Sequence, residues 1–123
     1  MIVQLHDYGH GGSDVGTTSG GMYEKDVQLQ LGMLTSDLLE RKYQVKVIRS
    51  RVDDRDVSLN ERVNVAQRNR AQALISFHHN ALPSNPVANG FEIYIYGPVS
   101  YLPAVKNGVV NHKAPNSYIR AVK

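Results

Sequence analysis

Apolar positions follow two rhythms along this chain, and the places where one gives way to the other mark out the elements. Residues 2–5 form a short, mostly apolar run that predicts a strand. Between 9 and 21 the apolar pattern stops and six glycines intervene, which predicts a loop. From 24 to about 41, Val27, Leu31, Leu34 and Leu38 recur at i, i+4, i+7 and i+11, with Leu39 beside the last. That spacing is one apolar face of an amphipathic helix of about five turns. Residues 44–48 alternate and predict a second strand, and the charged, aperiodic stretch 49–56 predicts a loop.

Ser58-Leu59-Asn60-Glu61 is a capping box, in which a serine oxygen and a glutamate three residues later satisfy free amides at a helix start. The helix it opens carries Leu59, Val63 and Ala66 on its inward side and ends near Asn69 or Arg70. Residues 73–77 are an apolar run that predicts a buried third strand. Residues 81–89, with Pro83 and Pro86, predict a loop. The clean alternation of 91–96 predicts a fourth strand near the sheet edge, and a short strand is expected at 118–122. Strand, helix, strand, helix, strand implies right-handed crossovers. The expected fold is α/β: a single three-layer domain over residues 1–123, with a mostly parallel twisted sheet and helices on both faces.

At 123 residues the chain holds one core. A hydrophobic share of 41% and a charged share of 20% are ordinary for a soluble protein. The net charge of +3 comes from 14 basic and 11 acidic residues that intermingle, so the charge supplies no nucleic-acid footprint, and none is expected as a partner. Cysteine is absent, which excludes disulfides and thiolate metal sites. No transmembrane run is present. The N-terminal residues lack the basic region and long apolar run of a secretory signal, so no signal peptide is expected in the chain.

Three residues change the picture: His10 in Asp7-Tyr8-Gly9-His10-Gly11-Gly12, Glu24 in Tyr23-Glu24-Lys25-Asp26, and His78 in Ser76-Phe77-His78-His79-Asn80. Two imidazoles and a carboxylate are what a catalytic zinc takes when its fourth position is left to water. His10 follows the first strand, Glu24 opens the first helix and His78 ends the third strand, which gathers all three at one sheet edge. Taken alone, Glu24 is better read as a favourable charge at a helix N-terminus; the two histidines beside it turn the reading toward ligation. His79 points away from His78 by the strand period and reads as a surface or second-layer histidine. His6 reads as a partly exposed side chain.

With Arg49 followed by Asp53 and Asp54, Ser58-Leu59 with Glu61-Arg62, Asn80-Ala81 and Asn89-Gly90-Phe91-Glu92, these segments resemble the zinc-dependent N-acetylmuramoyl-L-alanine amidases that cut bacterial peptidoglycan in phage lysins and cell-separation enzymes. The resemblance covers residues 2–96. It implies that His10, Glu24 and His78 bind zinc, that the partner is bacterial peptidoglycan, and that the place of action is the cell wall, extracellular or periplasmic. It further implies hydrolysis of the bond between muramic acid and L-alanine, or, in the alternative, a zinc-retaining module that binds wall glycopeptide without cutting it. Asp7 is expected either to take the second imidazole hydrogen of a ligand histidine or to form a turn. Asn80 is expected to position substrate or tie its loop, and Arg49 to pair with Asp53 or Asp54. Family members carry a further glutamate on a late strand; that strand is expected to be missing here, and the helix before it to be missing or much shortened. Glu92 is the only carboxylate after Glu61 and is the candidate for the glutamate's catalytic role.

Overall fold

The computed structural model describes residues 1–81, 84, 87, 90–94, 108–110 and 118–121. It divides into two compact units, Met1–Ala81 and Leu82–Lys123. The first is an α/β unit in which β1 (Ile2–Tyr8) lies between β4 (Val45–Arg49) and β5 (Ala73–Phe77), both parallel to it. The register runs from Ile2 opposite Val45 to His6 opposite Arg49, and from Gln4 opposite Ala73 to Tyr8 opposite Phe77.

Two helices connect the strands, α1 (Glu24–Lys42) and α2 (Leu59–Arg68). The alternation of β1 shows which face each covers. His6 and Tyr8 point to Ser36 of α1, whereas Asp7 points the other way, to Arg62 of α2. The helices therefore lie on opposite faces, as right-handed crossovers to either side of β1 require. The chain changes direction across the sheet between β1 and β5, and the crevice beyond the C-terminal ends of those strands is where α/β folds collect ligands.

β1 continues three residues past the apolar run that announced it, because His6 and Asp7, though polar, find partners and are buried. The capping box forms: the Glu61 amide donates to the Ser58 hydroxyl at 3.1 Å. A short hairpin, β2 (Thr18–Ser19) with β3 (Met22–Tyr23), interrupts the expected loop. Gly20 and Gly21 both take positive φ, the demand of a two-residue turn between twisted strands.

The buried faces of the helices differ from the apolar pattern. α1 turns Glu24, Gln28, Gly32 and Ser36 inward, while Leu31, Leu34 and Leu38 are exposed and Val27 is half-buried. Small Gly32 and Ser36 allow the helix to come down onto Tyr8 and His6, an approach that leucines at those positions would block. On α2 the inward residue is Arg62, held by Asp7; Leu59 and Val63 are exposed. β5 is exposed over residues 73–76 rather than buried, and among the described residues it is hydrogen-bonded to β1 alone.

In the second unit, β6 (Phe91–Tyr94) forms where a strand was expected, but its partner is β8 (Tyr118–Ala121), antiparallel. β7 (Gly108–Val110) pairs with the other edge of β8. Among the described residues, no helix is long and apolar enough to cross a membrane.

Candidate metal centre

β1 ends at Tyr8, and the chain turns sharply through His10, whose φ of 61° lies in the left-handed region that most side chains avoid. His10 Nδ1 meets Asp14 Oδ2 at 2.8 Å, which directs Nε2 toward Glu24 Oε2 at 3.1 Å. β5 delivers His78 one residue past its end, and His78 Nδ1 lies 3.1 Å from Glu24 Oε1. The two imidazole rings stand nearly perpendicular, with centroids 4.9 Å apart.

Glu24 is the first residue of α1, and its side chain is only 2% exposed. Burial by itself would raise its pKa, but the Thr17 amide at 2.8 Å and the His79 amide at 2.8 Å donate to it, and His10 and His78 add to the effect. The carboxyl is held below its ordinary value, so it stays ionised in a dry position. Gly16 closes this side. With φ at 68°, a Cβ there would lie 2.6 Å from His10 Cδ2 and 2.7 Å from Glu24 Oε2.

One nitrogen or oxygen from each of His10, Glu24 and His78 lies within 4.8 Å of the others. Ligands about 2.0–2.2 Å from a tetrahedral zinc stand roughly 3.3 Å apart; His10 Nε2 and His78 Nδ1 each lie 3.1 Å from an oxygen of Glu24, the one from Oε2 and the other from Oε1. The donor set fits zinc: two imidazoles with one ionised carboxylate. His78 is half exposed, and a cleft of about 250 Å3, lined by His10, His78, Asp14, Ser58, Leu59 and Arg62 among others, opens beside the three.

The structure places the other sequence candidates differently. Asp7 is hydrogen-bonded to neither His10 nor His78; it pairs with Arg62 and accepts from Ser76 Oγ at 2.7 Å. The partner of His10 is Asp14, which the sequence reading missed, although an aspartate four residues after a turn histidine is a visible signal. Hydrogen bonding to His10 holds the Asp14 carboxyl below the ordinary range. Arg49 pairs with Asp37 and Glu40, both at 2.8 Å, rather than with Asp53 or Asp54, because β4 faces α1 there. Asp53 is taken by Arg55, and Asp54 by Lys25 at 2.7 Å. Asn80 Oδ1 accepts the Ala81 amide at 2.9 Å, a loop tie. The Glu92 side chain lies outside the described residues, as does His112.

His6, read as partly exposed, is buried: Nδ1 meets Ser36 Oγ at 2.7 Å and Nε2 meets Gln4 Oε1 at 3.1 Å. His79 is exposed, with its ring against fully buried Gln28, one helical turn beyond Glu24. Arg51 and Arg62 are both buried; the sequence did not single out Arg51, and Arg62 entered only within the Glu61-Arg62 segment, with no role of its own.

A family model described as N-acetylmuramoyl-L-alanine amidase matches residues 5–121. The chain is 42% identical over 97 residues to the N-acetylmuramoyl-L-alanine amidase CwlM of Bacillus licheniformis, covering 78% of this chain and 37% of that protein. It is 36% identical over 90 residues to the endolysin of Bacillus phage SPP1, covering 73% and 32%. Among solved structures, the amidase AmiC2 of Nostoc punctiforme superposes with a TM-score of 0.72 at 36% identity, covering 81% of this chain and 55% of that one. The chain thus spans well under two thirds of each of these relatives.

Proposed function

This chain belongs to the N-acetylmuramoyl-L-alanine amidase family, and from that premise we propose that it hydrolyses the amide bond between N-acetylmuramic acid and L-alanine in bacterial peptidoglycan. In this reading residues 1–123 act as one catalytic domain at the cell wall, and His10, Glu24 and His78 hold a zinc ion. The observation that carries it is the buried, ionised Glu24 carboxylate set between two imidazoles at 3.1 Å, at the crevice of the sheet. When bound, zinc supplies Lewis-acid activation of water and of the scissile carbonyl.

The chain's own residues do the rest. Asp14 accepts the hydrogen on His10 Nδ1, which fixes the tautomer that leaves Nε2 free to ligate. Glu24 contributes the negative charge of the site and is kept from protonation by the Thr17 and His79 amides. Half-exposed His78 leaves one side open to substrate through the cleft. Breaking the bond requires a proton at the leaving L-alanine nitrogen. Glu92, the only carboxylate after Glu61, is our candidate donor.

The test is mass spectrometry of purified peptidoglycan incubated with the zinc-loaded chain and with a chelated control. Stem peptides bearing a newly freed L-alanine amine, seen only with zinc, are the expected result. Their absence while zinc is bound would refute hydrolysis and leave a module that binds wall glycopeptide. Glu24→Gln keeps size and removes charge; unchanged zinc affinity in that variant would remove Glu24 from the ligand set. Full turnover in Glu92→Gln would exclude Glu92 as the donor.

A further inference from the structure

Two arginines that hydrogen-bond to no ligand side chain donate to the backbone of the segments that carry His10 and Glu24, and one of them is linked through Asp7 to the segment that carries His78. Arg51 is 3% exposed and Arg62 is 6% exposed. Arg51 donates from Nε to the Tyr8 carbonyl at 3.0 Å, and from Nη2 to the Gly9 carbonyl at 3.1 Å and the Lys25 carbonyl at 2.7 Å. Gly9 precedes His10 and Lys25 follows Glu24, so one guanidinium joins the two segments. Arg62 donates to the Tyr8 and His10 carbonyls, both at 2.9 Å, and pairs with Asp7. The other oxygen of Asp7 accepts from Ser76, two residues before His78.

We propose that Arg51 and Arg62 are positioning residues, a pair of guanidinium forks that sets the spacing of His10, Glu24 and His78 before any metal arrives. This rests on reading those three residues as the metal site. The carbonyls of residues 8–10 lie where β1 gives out and His10 takes its left-handed turn, so most of their bonding must come from elsewhere. A planar guanidinium holds five donors in a fixed fork and can span several of them at set angles, whereas an ammonium has three donors and no such fixed geometry. The buried ion pair is by itself weak evidence of a stabilising role. Two cations converge on the single Tyr8 carbonyl, Asp7 is the one carboxylate among the described residues bonded to either guanidinium, and apolar replacements of buried ion pairs are often as stable or more so. A role in fixing the ligand segments accounts for the arrangement.

The experiment is a zinc competition titration against a chromophoric chelator, with cobalt(II) absorption as a second readout, on the 123-residue chain. Wild type, Arg51→Lys, Arg62→Lys and Val47→Ala are compared. Val47 is buried on β4 outside the frame, so its truncation reports the effect of lost stability alone. The lysine variants are expected to bind zinc about 10- to 100-fold more weakly and to show shifted cobalt bands, while Val47→Ala stays close to wild type. Wild-type affinity and spectrum in both lysine variants would overturn the proposal, as would an equal loss in Val47→Ala. Should the lysine variants not fold, NMR of the arginine Nε–H groups in the metal-free wild type decides. Slow exchange with water supports a preformed frame, and free exchange overturns it. If wild type itself binds no zinc, the metal reading fails, and the NMR result still reports on the frame.

Discussion

Gly32→Ala sets helix propensity against packing, and the structure says which wins. Gly32 sits in the interior of α1, where alanine is favoured over glycine by about 0.8–1.0 kcal/mol. A methyl built on Gly32, however, falls 2.9 Å from Tyr8 Cγ and closer still to Cδ1 and Cε1. Tyr8 is fully buried and its hydroxyl is anchored to Ser36 Oγ at 2.6 Å, so the ring has little room to yield. Overpacking of this kind costs about 1–3 kcal/mol, and loss of the hydroxyl's bond adds about 1 kcal/mol. The net expectation is a loss of about 1–3 kcal/mol, read as a lower midpoint in urea unfolding. A parallel Gln30→Ala variant on the exposed side of the same helix should be close to neutral. Because Glu24 lies on the same inward face, a displaced α1 should also weaken zinc binding. If Gly32→Ala proves as stable as wild type or more so, the close approach of α1 to β1 is refuted.

Asp14→Ala should lower zinc affinity about 10- to 100-fold while changing unfolding free energy by less than about 0.5 kcal/mol, since Asp14 is exposed; calorimetric titration and urea unfolding measure the two. Burial foremost, then the charge of Arg49, holds His6 below its ordinary pKa against a smaller opposing effect of Glu40. Its unfolded form therefore binds protons first, so stability is full above about pH 6.5 and falls with decreasing pH until the folded pKa is passed, with a slope of at most about 1.4 kcal/mol per pH unit. In the metal-free chain His6→Gln should flatten that part of the profile, and an unchanged slope would show that His6 is not responsible. Zinc at about 100 times its dissociation constant should stabilise the chain by about 2.7 kcal/mol, and a chelator should remove that increment. Thermal unfolding of Glu24→Gln should show little of it; an equal increment there would exclude Glu24 as a ligand.

The chain order of elements was legible in the residues: a β1 core run, the helix from Glu24, the capping box at Ser58 and the strand that ends before His78. So was the gathering of His10, Glu24 and His78 at one edge, since elements of a parallel sheet must present their ends together. Those features depend on local spacing and on handedness, which a sequence carries openly. The inward face of α1 did not follow from spacing, because an apolar stripe marks the buried side only when burial is apolar. Here the buried side is Glu24, Gln28, Gly32 and Ser36, chosen by the room that Tyr8 and His6 need. The pairings of Arg62 with Asp7 and of Arg51 with the carbonyls around His10 and Glu24 join residues far apart in the chain, and that of Arg49 with α1 joins a strand to the helix before it. A charge shows its sign in the sequence; its partner is fixed only when strands and helices bring the two together and exclude the water that would otherwise satisfy both.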